Sequence, residues 1–342
     1  MKLLNQFDDL TILEWIGLFT ASVWIVYKPC KLVVSWLLNR FSCASRRLLR
    51  PSGDEYAIIT GATDGIGFEY ARQLAQKGYN LLLISRTESK LKFVAAELTQ
   101  QFGHKVDYHV ADFSDQTIYN GIRAKLDELT SPIHVLVNNV GTAYPTPEYF
   151  TDYPQDWQLN LINTNITSMT MMSDIVLRKM LKQEKRSWVN NRGIIINISS
   201  MAGTTELPLF STYAASKSYI NNLSKTLSFE YEKDDIIVQT VMPNQVDTKL
   251  AKNLRQPETV VSVESYVRYA LNTVGTEQST NGHPKHKILN NLGILLGELI
   301  PERWFMLFKF KVSKHLKQTY EERQRRSILD SEKNNNKVGN NS

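Results

Sequence analysis

Three side chains in the middle of the chain could together move a proton. Tyr213 and Lys217 are four residues apart, so a helix would place them on one face, one turn apart. A tyrosine hydroxyl has a pKa near 10, and a lysine charge about 4 Å away is worth roughly 4 kcal/mol at an effective dielectric of 20. We expect Lys217 to lower the pKa of Tyr213 by up to about 3, less the opposing effect of burial. Tyr213 would then act as a general acid near neutral pH.

A tyrosine and a lysine at this spacing also occur by chance on solvated helix faces. Ser200 makes the pair informative, because it lies upstream of Tyr213 at the end of an apolar segment, Gly193–Ile198, that reads as a strand. The carboxyl ends of parallel strands face the ligand crevice. A hydroxyl there can meet a substrate oxygen beside Tyr213.

A glycine-rich turn follows the first predicted strand. It runs from Thr60 to Gly67 and precedes a predicted helix. Glycines allow a tight turn and let the backbone approach a pyrophosphate at the positive end of the helix. A structural turn is the competing interpretation, but the position between strand and helix favours a dinucleotide. The turn residues that we expect at the cofactor are Gly61, Thr63, Asp64, Gly65, Ile66 and Gly67.

The end of the second predicted strand indicates which dinucleotide binds. An acidic residue there would bind the ribose hydroxyls of NAD. This chain has Ser85 and Arg86 instead, and a hydroxyl beside a guanidinium suits a 2′-phosphate. The pair predicts NADPH, although Arg86 could also be an ordinary surface arginine.

These motifs together resemble the short-chain dehydrogenase/reductase family. The matches are Thr60-Gly61 to Gly67, Asp112, Asn138-Asn139-Val140-Gly141, Asn165, Ser199-Ser200, Tyr213 to Lys217, and Pro243 to Thr248. Their order and spacing agree from about residue 56 to residue 250. Two positions depart mildly from the family pattern, Val140 in place of alanine and Asn244 in place of glycine.

The resemblance implies a role for each catalytic candidate. Ser200 would hydrogen-bond the substrate carbonyl, Tyr213 would donate the proton, and Lys217 would lower the tyrosine pKa and hold the nicotinamide ribose. Asn165 would support a water that relays protons to Lys217. Asn163 is the rival for that role, and we prefer Asn165 because Asn165 and Ser168 match the family's Asn-x-x-small pattern.

The resemblance also implies cofactor contacts outside the glycine turn. Asp112 would meet the adenine, Asn139 would line the cofactor groove, and Val246 and Thr248 would contact the carboxamide. No metal site is expected.

Nearly the whole chain further resembles the microsomal 17-beta-hydroxysteroid dehydrogenase type 12 branch, also called very-long-chain 3-oxoacyl-CoA reductases. The likeness rests on the hydrophobic start, the basic stretch, the apolar C-terminal part and two short motifs, Thr273-Val274-Gly275 and Thr280-Asn281-Gly282-His283. The branch implies reduction of 3-oxoacyl-CoA in fatty-acid elongation, at the endoplasmic reticulum membrane. A steroid or retinoid oxidoreductase uses the same machinery. A non-catalytic binding protein of this fold is the third hypothesis, and the intact catalytic residues oppose it.

Apolar segments that alternate with helical ones predict a single α/β domain with a doubly wound parallel sheet of Rossmann type. The predicted strands are Tyr56–Thr60, Asn80–Ser85, Lys105–Val110, His134–Asn138, Gly193–Ile198 and Ile236–Val241. We divide the chain into an anchor and basic linker (1–50), the NADP-binding domain (51–285), an apolar and basic extension (286–330) and a disordered tail (331–342).

The segment Leu10–Tyr27 predicts a membrane anchor. Its 18 residues, mostly apolar, would span about 27 Å as a helix. Basic residues follow the segment, which puts the catalytic domain in the cytosol by the positive-inside rule. Thr11, Glu14 and Ser22 near one face leave an interfacial helix open, and a cleaved signal peptide is less favoured.

The second apolar region, up to Phe310, is interrupted by Pro301. Neither half is long enough to span a bilayer. A surface-lying or re-entrant hairpin and a substrate lid are the open alternatives for this region.

Composition limits the partners. The chain has 342 residues, 42% of them hydrophobic, and a formal net charge of +6. The basic residues cluster beside the apolar segments, which favours an anionic membrane surface over nucleic acid. Cys30 and Cys43 suggest no disulfide framework. We expect a lipophilic small-molecule substrate, a membrane and possible homodimer formation.

Overall fold

A computed structural model describes residues 11–23, 30, 34, 43–186, 191–249, 251 and 259–339, the last fourteen by backbone alone. The chain divides into two compact units, Met1–Ala44 and Ser45–Ser342. The predicted catalytic domain and the extension that follows it therefore belong to the same unit.

The larger unit is built on a seven-stranded parallel sheet with the order β3-β2-β1-β4-β5-β6-β7. The strands are β1 (Tyr56–Thr60), β2 (Asn80–Ser85), β3 (Val106–Val110), β4 (Ile133–Asn138), β5 (Gly193–Ile198), β6 (Ile236–Val241) and β7 (Ser279–Thr280). All six predicted strands are present, and the predicted doubly wound parallel sheet is confirmed. The short edge strand β7 was not predicted, because two residues give no alternating pattern.

Helices cover both faces of the sheet. After α1 (Ile12–Ser22) in the smaller unit, the helices of the chain are α2 (Ala44–Leu48), α3 (Gly65–Gln76), α4 (Glu88–Phe102), α5 (Tyr119–Asp127), α6 (Gln155–Ile162), α7 (Ser168–Met180), α8 (Ser211–Glu230), α9 (Val263–Asn272), α10 (Pro284–Leu299) and α11 (Glu302–Gly339). A π-helical turn, Asn163–Thr167, joins α6 to α7.

The apolar strands feed two separate cores. In β1, Ala57 and Ile59 enter the core shared with α3, α4 and α9. Tyr56 and Ile58 point the other way, into the core shared with α5 and α7. Alternate side chains of a strand lie on opposite faces, so a sheet covered on both sides needs apolar residues at every position.

This topology creates the crevice where a ligand can bind. The chain runs outward from β1 to β2 and β3, then returns to the other side of β1 to form β4. In doubly wound sheets, ligands bind outside the carboxyl ends of the strands at this reversal. Most of the predicted cofactor and catalytic residues follow the ends of β1, β2, β3, β4, β5 and β6.

A buried ionic cluster closes the opposite end of the sheet. The Arg186 guanidinium lies 3.2 Å from the Glu55 carboxylate and donates to the Leu48 carbonyl at 3.0 Å. His134 packs against it, and burial lowers the pKa of this histidine to about 3. Arg186 also pairs with Asn191 in an antiparallel bridge. The segment Arg186–Arg192 is therefore tied at both ends, while residues 187–190 lie outside the described part.

The smaller unit contains helix α1 (Ile12–Ser22). A capping box starts the helix, since Thr11 N–H donates to the Glu14 carboxylate at 2.7 Å and the Thr11 hydroxyl accepts from Glu14 N–H. Among the described residues, no helix is both long and apolar enough to cross a membrane. The ends of the predicted span, Leu10 and Trp24 to Tyr27, lie outside the described residues.

Helix α11 continues into the region for which we predicted a disordered tail, 331–342. Its backbone is helical to Gly339, residues 340–342 lie outside the described part, and the disorder of this tail stays a prediction. Between Glu302 and Gly339 the chain contains no proline, and its first glycine is the last residue of the helix. Nothing in this stretch therefore interrupts the backbone hydrogen bonds.

Candidate active site

Helix α8 carries the tyrosine and the lysine. Lys217 is 5% exposed, and its ammonium donates to the Ile198 carbonyl at the end of β5, at 3.2 Å. It lies 5.8 Å from the centre of the half-buried Tyr213 ring. The sequence prediction that these two side chains share one helix face is confirmed.

Ser200 reaches the same place from the end of β5. Its hydroxyl accepts from Ala202 N–H at 3.1 Å, which caps a short 3-10 turn, Met201–Gly203. The same hydroxyl is hydrogen-bonded to the phenol of Tyr213. The preceding Ser199 donates to the Lys217 carbonyl at 2.9 Å and so ties the strand end to α8. The role of Ser199 was not foreseen, although a second hydroxyl beside Ser200 was a signal for it.

The electrostatics correct one prediction. Burial raises the pKa of Tyr213, and the hydrogen bond from Ser200 opposes this only in part. Burial also lowers the pKa of Lys217 to about 8. The expected lowering of the tyrosine pKa by the lysine is therefore wrong here, because desolvation of both groups exceeds their attraction at this separation. A tyrosine with a raised pKa is fully protonated at neutral pH, as a proton donor must be.

Asn165 completes the group from the π-helical turn. It is 1% exposed, donates to the Thr142 carbonyl and the Ser216 hydroxyl at 3.0 Å each, and accepts from Thr142 N–H at 2.8 Å. A side chain at Gly141 would lie 3.4 Å from the Asn165 oxygen and 3.5 Å from the Lys217 ammonium. Asn165 and Lys217 therefore border the same small space, which glycine leaves open.

The rival Asn163 lies elsewhere. It accepts from the Gln116 amide at 2.8 Å and donates to the Ser114 carbonyl at 3.1 Å. These partners follow β3, on the adenine side of the predicted cofactor groove. The preference for Asn165 therefore agrees with the positions of both side chains.

The glycine turn between β1 and α3 forms a cradle. Gly61 and Gly65 have φ angles of 64° and 55°, which favour glycine. At Gly67 a Cβ would lie 2.3 Å from the Gly61 carbonyl oxygen, so a side chain is excluded there. Asp64 caps α3 by accepting from Gly65 N–H at 2.8 Å. Ile66 packs partly buried against the core, which leaves backbone at the helix N-terminus for a ligand.

Asn139 fastens this turn to the end of β4. Its amide donates to the carbonyls of Thr60 and Gly61 at 3.0 and 3.2 Å. In return, the Thr60 hydroxyl accepts from the N–H groups of Asn139 and Val140. Thr60 is a second positioning hydroxyl that the sequence reasoning did not assign.

The predicted adenosine side lies beyond this turn. Ser85 ends β2 and hydrogen-bonds the Thr63 hydroxyl at 3.3 Å, and the next residue, Arg86, is exposed. Asp112 follows β3 and accepts from the Ser114 N–H and hydroxyl at 3.0 and 2.9 Å. The adjacent ends of β1, β2 and β3 therefore carry the four polar candidates Thr63, Ser85, Arg86 and Asp112.

The segment after β6 covers the turn from the other side. Thr248 lies so close to Gly65 that a Cβ there would be 3.1 Å from its methyl group. Lys249 forms an ion pair with Asp64. The Val246 side chain is 2% exposed and packs in the core, so only its backbone can meet a cofactor.

These residues fit a nicotinamide dinucleotide. The Gly67 position excludes a side chain beside the N-terminus of α3, and the open space at Gly141 lies between that turn and Lys217. A dinucleotide laid along the strand ends would place its pyrophosphate at the turn and its nicotinamide beside Tyr213 and Ser200.

Known proteins resemble this chain in sequence. The model of the short chain dehydrogenase family matches residues 55–259. The very-long-chain 3-oxoacyl-CoA reductase of Anas platyrhynchos is 44% identical over 249 residues, covering 72% of this chain and 77% of that protein. Hydroxysteroid dehydrogenase-like protein 1 of Gallus gallus is 37% identical over 258 residues, covering 73% and 74%.

A solved structure agrees with the fold. The short-chain dehydrogenase from Sphingobium yanoikuyae in complex with NADPH is 27% identical, with a TM-score of 0.60, over 72% of this chain and 96% of that one. The chain is an oxidoreductase that uses a nicotinamide cofactor, and it belongs to the short-chain dehydrogenase/reductase family.

Proposed function

We propose that this chain reduces 3-oxoacyl-CoA to 3-hydroxyacyl-CoA with NADPH, in the elongation of long-chain fatty acids. The observation that carries the proposal is the meeting of Ser200, Tyr213, Lys217 and Asn165 at the carboxyl end of β5. The name of the 44%-identical relative, a very-long-chain 3-oxoacyl-CoA reductase, supports the choice of substrate.

When bound, NADPH would supply a hydride to the carbonyl carbon of the substrate. Ser200 donates a hydrogen bond to the carbonyl oxygen and fixes its position beside the phenol of Tyr213. Tyr213 gives that oxygen its proton, so the ketone gains two electrons and becomes an alcohol. Lys217 would hold the ribose of the cofactor and, with Asn165, would return a proton to the tyrosine through solvent.

The preference for NADPH follows from the end of β2. Ser85 is held by Thr63, and the exposed Arg86 can form a bidentate bond to a 2′-phosphate. The second strand ends without an acidic residue that would repel this phosphate.

Membrane attachment is the third element of the proposal. Helix α1 exposes Ile12 by 80%, Leu13 by 79% and Phe19 by 71%, and such exposed apolar side chains are expensive in water. We place this segment in or on the endoplasmic reticulum membrane, with the catalytic domain in the cytosol. Protease treatment of sealed microsomes tests the orientation, and a protected catalytic domain would refute it.

The decisive assay follows NADPH oxidation by the full chain with a long 3-oxoacyl-CoA and with a 17-ketosteroid. We expect faster turnover with the acyl-CoA. Faster reduction of the steroid would transfer the assignment to the steroid alternative, which the 37%-identical hydroxysteroid dehydrogenase-like relative favours by its name.

Tyr213→Phe tests the chemistry. It keeps the aromatic ring but removes the proton donor, so turnover should fall by about 10² or more while NADPH binding persists. Tyr219→Phe is the matched control, because Tyr219 lies on the same helix and bonds Thr170 at 3.0 Å, away from Ser200. If Tyr213→Phe kept near-normal turnover, Tyr213 would not be the acid.

A further inference from the structure

Helix α10 turns its polar face toward the domain and its apolar face outward, which is the reverse of an ordinary surface helix. Its inner face is polar, with His286 fully buried and Asn290 8% exposed one turn later. His286 accepts from Asn244 N–H at 3.3 Å, and Asn290 accepts from the Thr204 hydroxyl at 3.3 Å. Polar bonds to the segments after β5 and β6 therefore hold this helix on the domain.

The outer face of α10 is apolar. Ile288, Leu292, Leu296 and Leu299 are exposed by 64, 50, 39 and 67%. Their spacing of three and four residues puts them on one face. Burial of an apolar stripe normally stabilises a helix against its domain, but none of these four side chains is part of a core that the described residues form.

Helix α11 continues this surface. Trp304, Leu307, Phe308 and Val312 are exposed by 70, 49, 58 and 39%, again at one-turn spacing. The two helices are in contact, because a Cβ at Gly297 would lie 3.0 Å from the Phe305 ring. We call these eight exposed residues of α10 and α11 the apolar plate.

Helix α11, which carries half of the plate, is joined to the loop that follows Ser200. On the inner face of α11, Lys309 donates to the Glu206 carbonyl at 3.0 Å, and Lys317 forms an ion pair with Glu148. Glu206 belongs to the loop that follows the Met201–Gly203 turn, only six residues after Ser200. This loop after Ser200 is therefore attached to a helix that carries the plate.

Charge indicates what covers the plate. Between Glu302 and Lys317 the sequence has five basic residues and one acidic residue. Arg303, Lys311 and Lys314 are exposed, and helical geometry places Lys311 within the apolar stripe of α11 and the other two on its flank. Apolar side chains with a tryptophan and a basic border are typical of helices that lie on anionic bilayers.

A second copy of the chain would suit this surface less well. A twofold contact would bring each plate against its own copy, so that the basic border of one copy would face that of the other. Like charges brought together in this way oppose association.

We propose that the apolar plate docks on the surface of an anionic lipid bilayer and so holds the Ser200 loop beside the membrane. The role that we give to this docking, which is to admit a lipophilic substrate from the bilayer, rests on the proposed function. The docking surface itself is defined without reference to the substrate.

The test uses the full chain with Cys30 and Cys43 replaced by serine and one new cysteine carrying a nitroxide. Phe308→Cys reports on the plate. Phe229→Cys is the matched control, since Phe229 is 79% exposed on α8 and lies outside the plate. Both proteins are reconstituted in phosphatidylcholine–phosphatidylserine vesicles, and collisions of the label with oxygen and with a water-soluble nickel chelate are measured.

We expect the label at 308 to collide with oxygen and to be shielded from nickel, while the label at 229 collides with nickel. Adding Arg303→Gln and Lys314→Gln should shift the docking equilibrium by about 30-fold, since each charge near an anionic surface contributes roughly fivefold. Free access of nickel to position 308 would overturn the proposal. Loss of both kinds of collision would also overturn it, because protein would then cover the plate.

NADPH oxidation in the same vesicles separates the two proposals. A shielded label without acyl-CoA reduction leaves the docking intact and removes the proposed function. If the acyl-CoA is reduced while nickel reaches the label at 308, the proposed function stands and the docking proposal is removed.

Discussion

The buried charge of Lys217 should lower the free energy of unfolding of the chain, compared with a variant that has an uncharged side chain at this position. Lys217 is 5% exposed, and its ammonium has one described protein acceptor, the Ile198 carbonyl. Lys217→Met keeps most of the side-chain volume and removes the charge. We expect a variant that unfolds at a higher temperature and has lost turnover.

The magnitude follows from the lysine pKa. Burial lowers it from 10.5 to about 8, and at 1.36 kcal/mol for each pKa unit this corresponds to about 3 kcal/mol. The loss of one hydrogen bond, about 1 kcal/mol, offsets part of this gain. We therefore expect Lys217→Met to raise the free energy of unfolding by about 2 kcal/mol at pH 7.

The direction of this change in the free energy of unfolding can be checked by changing the pH. Between about pH 8 and 10.5 the unfolded lysine still binds its proton whereas the buried one has lost it. Stability then rises with pH in the parent chain but not in the variant. The advantage of Lys217→Met should be complete at pH 7 and should shrink progressively above pH 8.

Thermal unfolding of the full chain in detergent, followed by tryptophan fluorescence at pH 7 and pH 9.5, measures this difference. Lys225→Met on the same helix is the control, because Lys225 is exposed and its replacement should change the melting temperature little at either pH. A Lys217→Met protein that melts below the parent at pH 7 would refute the argument, as would a difference independent of pH.

Three further substitutions test other parts of the structure. Gly67→Ala should cost about 1–3 kcal/mol and weaken cofactor binding in a fluorescence titration, because its Cβ meets backbone at 2.3 Å; Gly293→Ala, with open space around it, should not. Arg186→Met should cost about 3–5 kcal/mol in urea unfolding by leaving Glu55 buried without its partner; adding Glu55→Gln should recover part of that loss, and a purely additive double variant would contradict the pairing. Arg86→Asp should weaken NADPH and improve NADH in steady-state assays, and equal use of both cofactors by the parent would remove the basis for the NADPH assignment.

Much of the site could be predicted because its residues are fixed by local geometry. Tyr213 and Lys217 share a helix face at any position in a protein, since the spacing of four is one helical turn. The turn from Gly61 to Gly67 needs glycine for reasons of φ angle and close approach that act within a few residues. Unbroken apolar runs within strands, such as Ile194–Ile196, indicate a sheet covered on both faces.

The burial of the site could not be read from the sequence. The tyrosine pKa was predicted to fall because a charge lies one turn away, but it rises because neighbouring elements remove water from both groups. Desolvation depends on everything that packs around a group, and no spacing along the chain reports it. The choice between Asn163 and Asn165 likewise gained support only when the turn was placed against Thr142 and Ser216.

The C-terminal helices show the same division. The sequence by itself determined that Pro301 separates two apolar stretches, because proline cannot continue a helix. The tertiary structure decided that His286 and Asn290 face inward and that the leucines of α10 face out. Periodicity shows that a helix has two faces, but the partners of the polar side chains, here Asn244 and Thr204, come from distant strand ends. Which face meets the domain is therefore set by long-range contacts that only the folded chain contains.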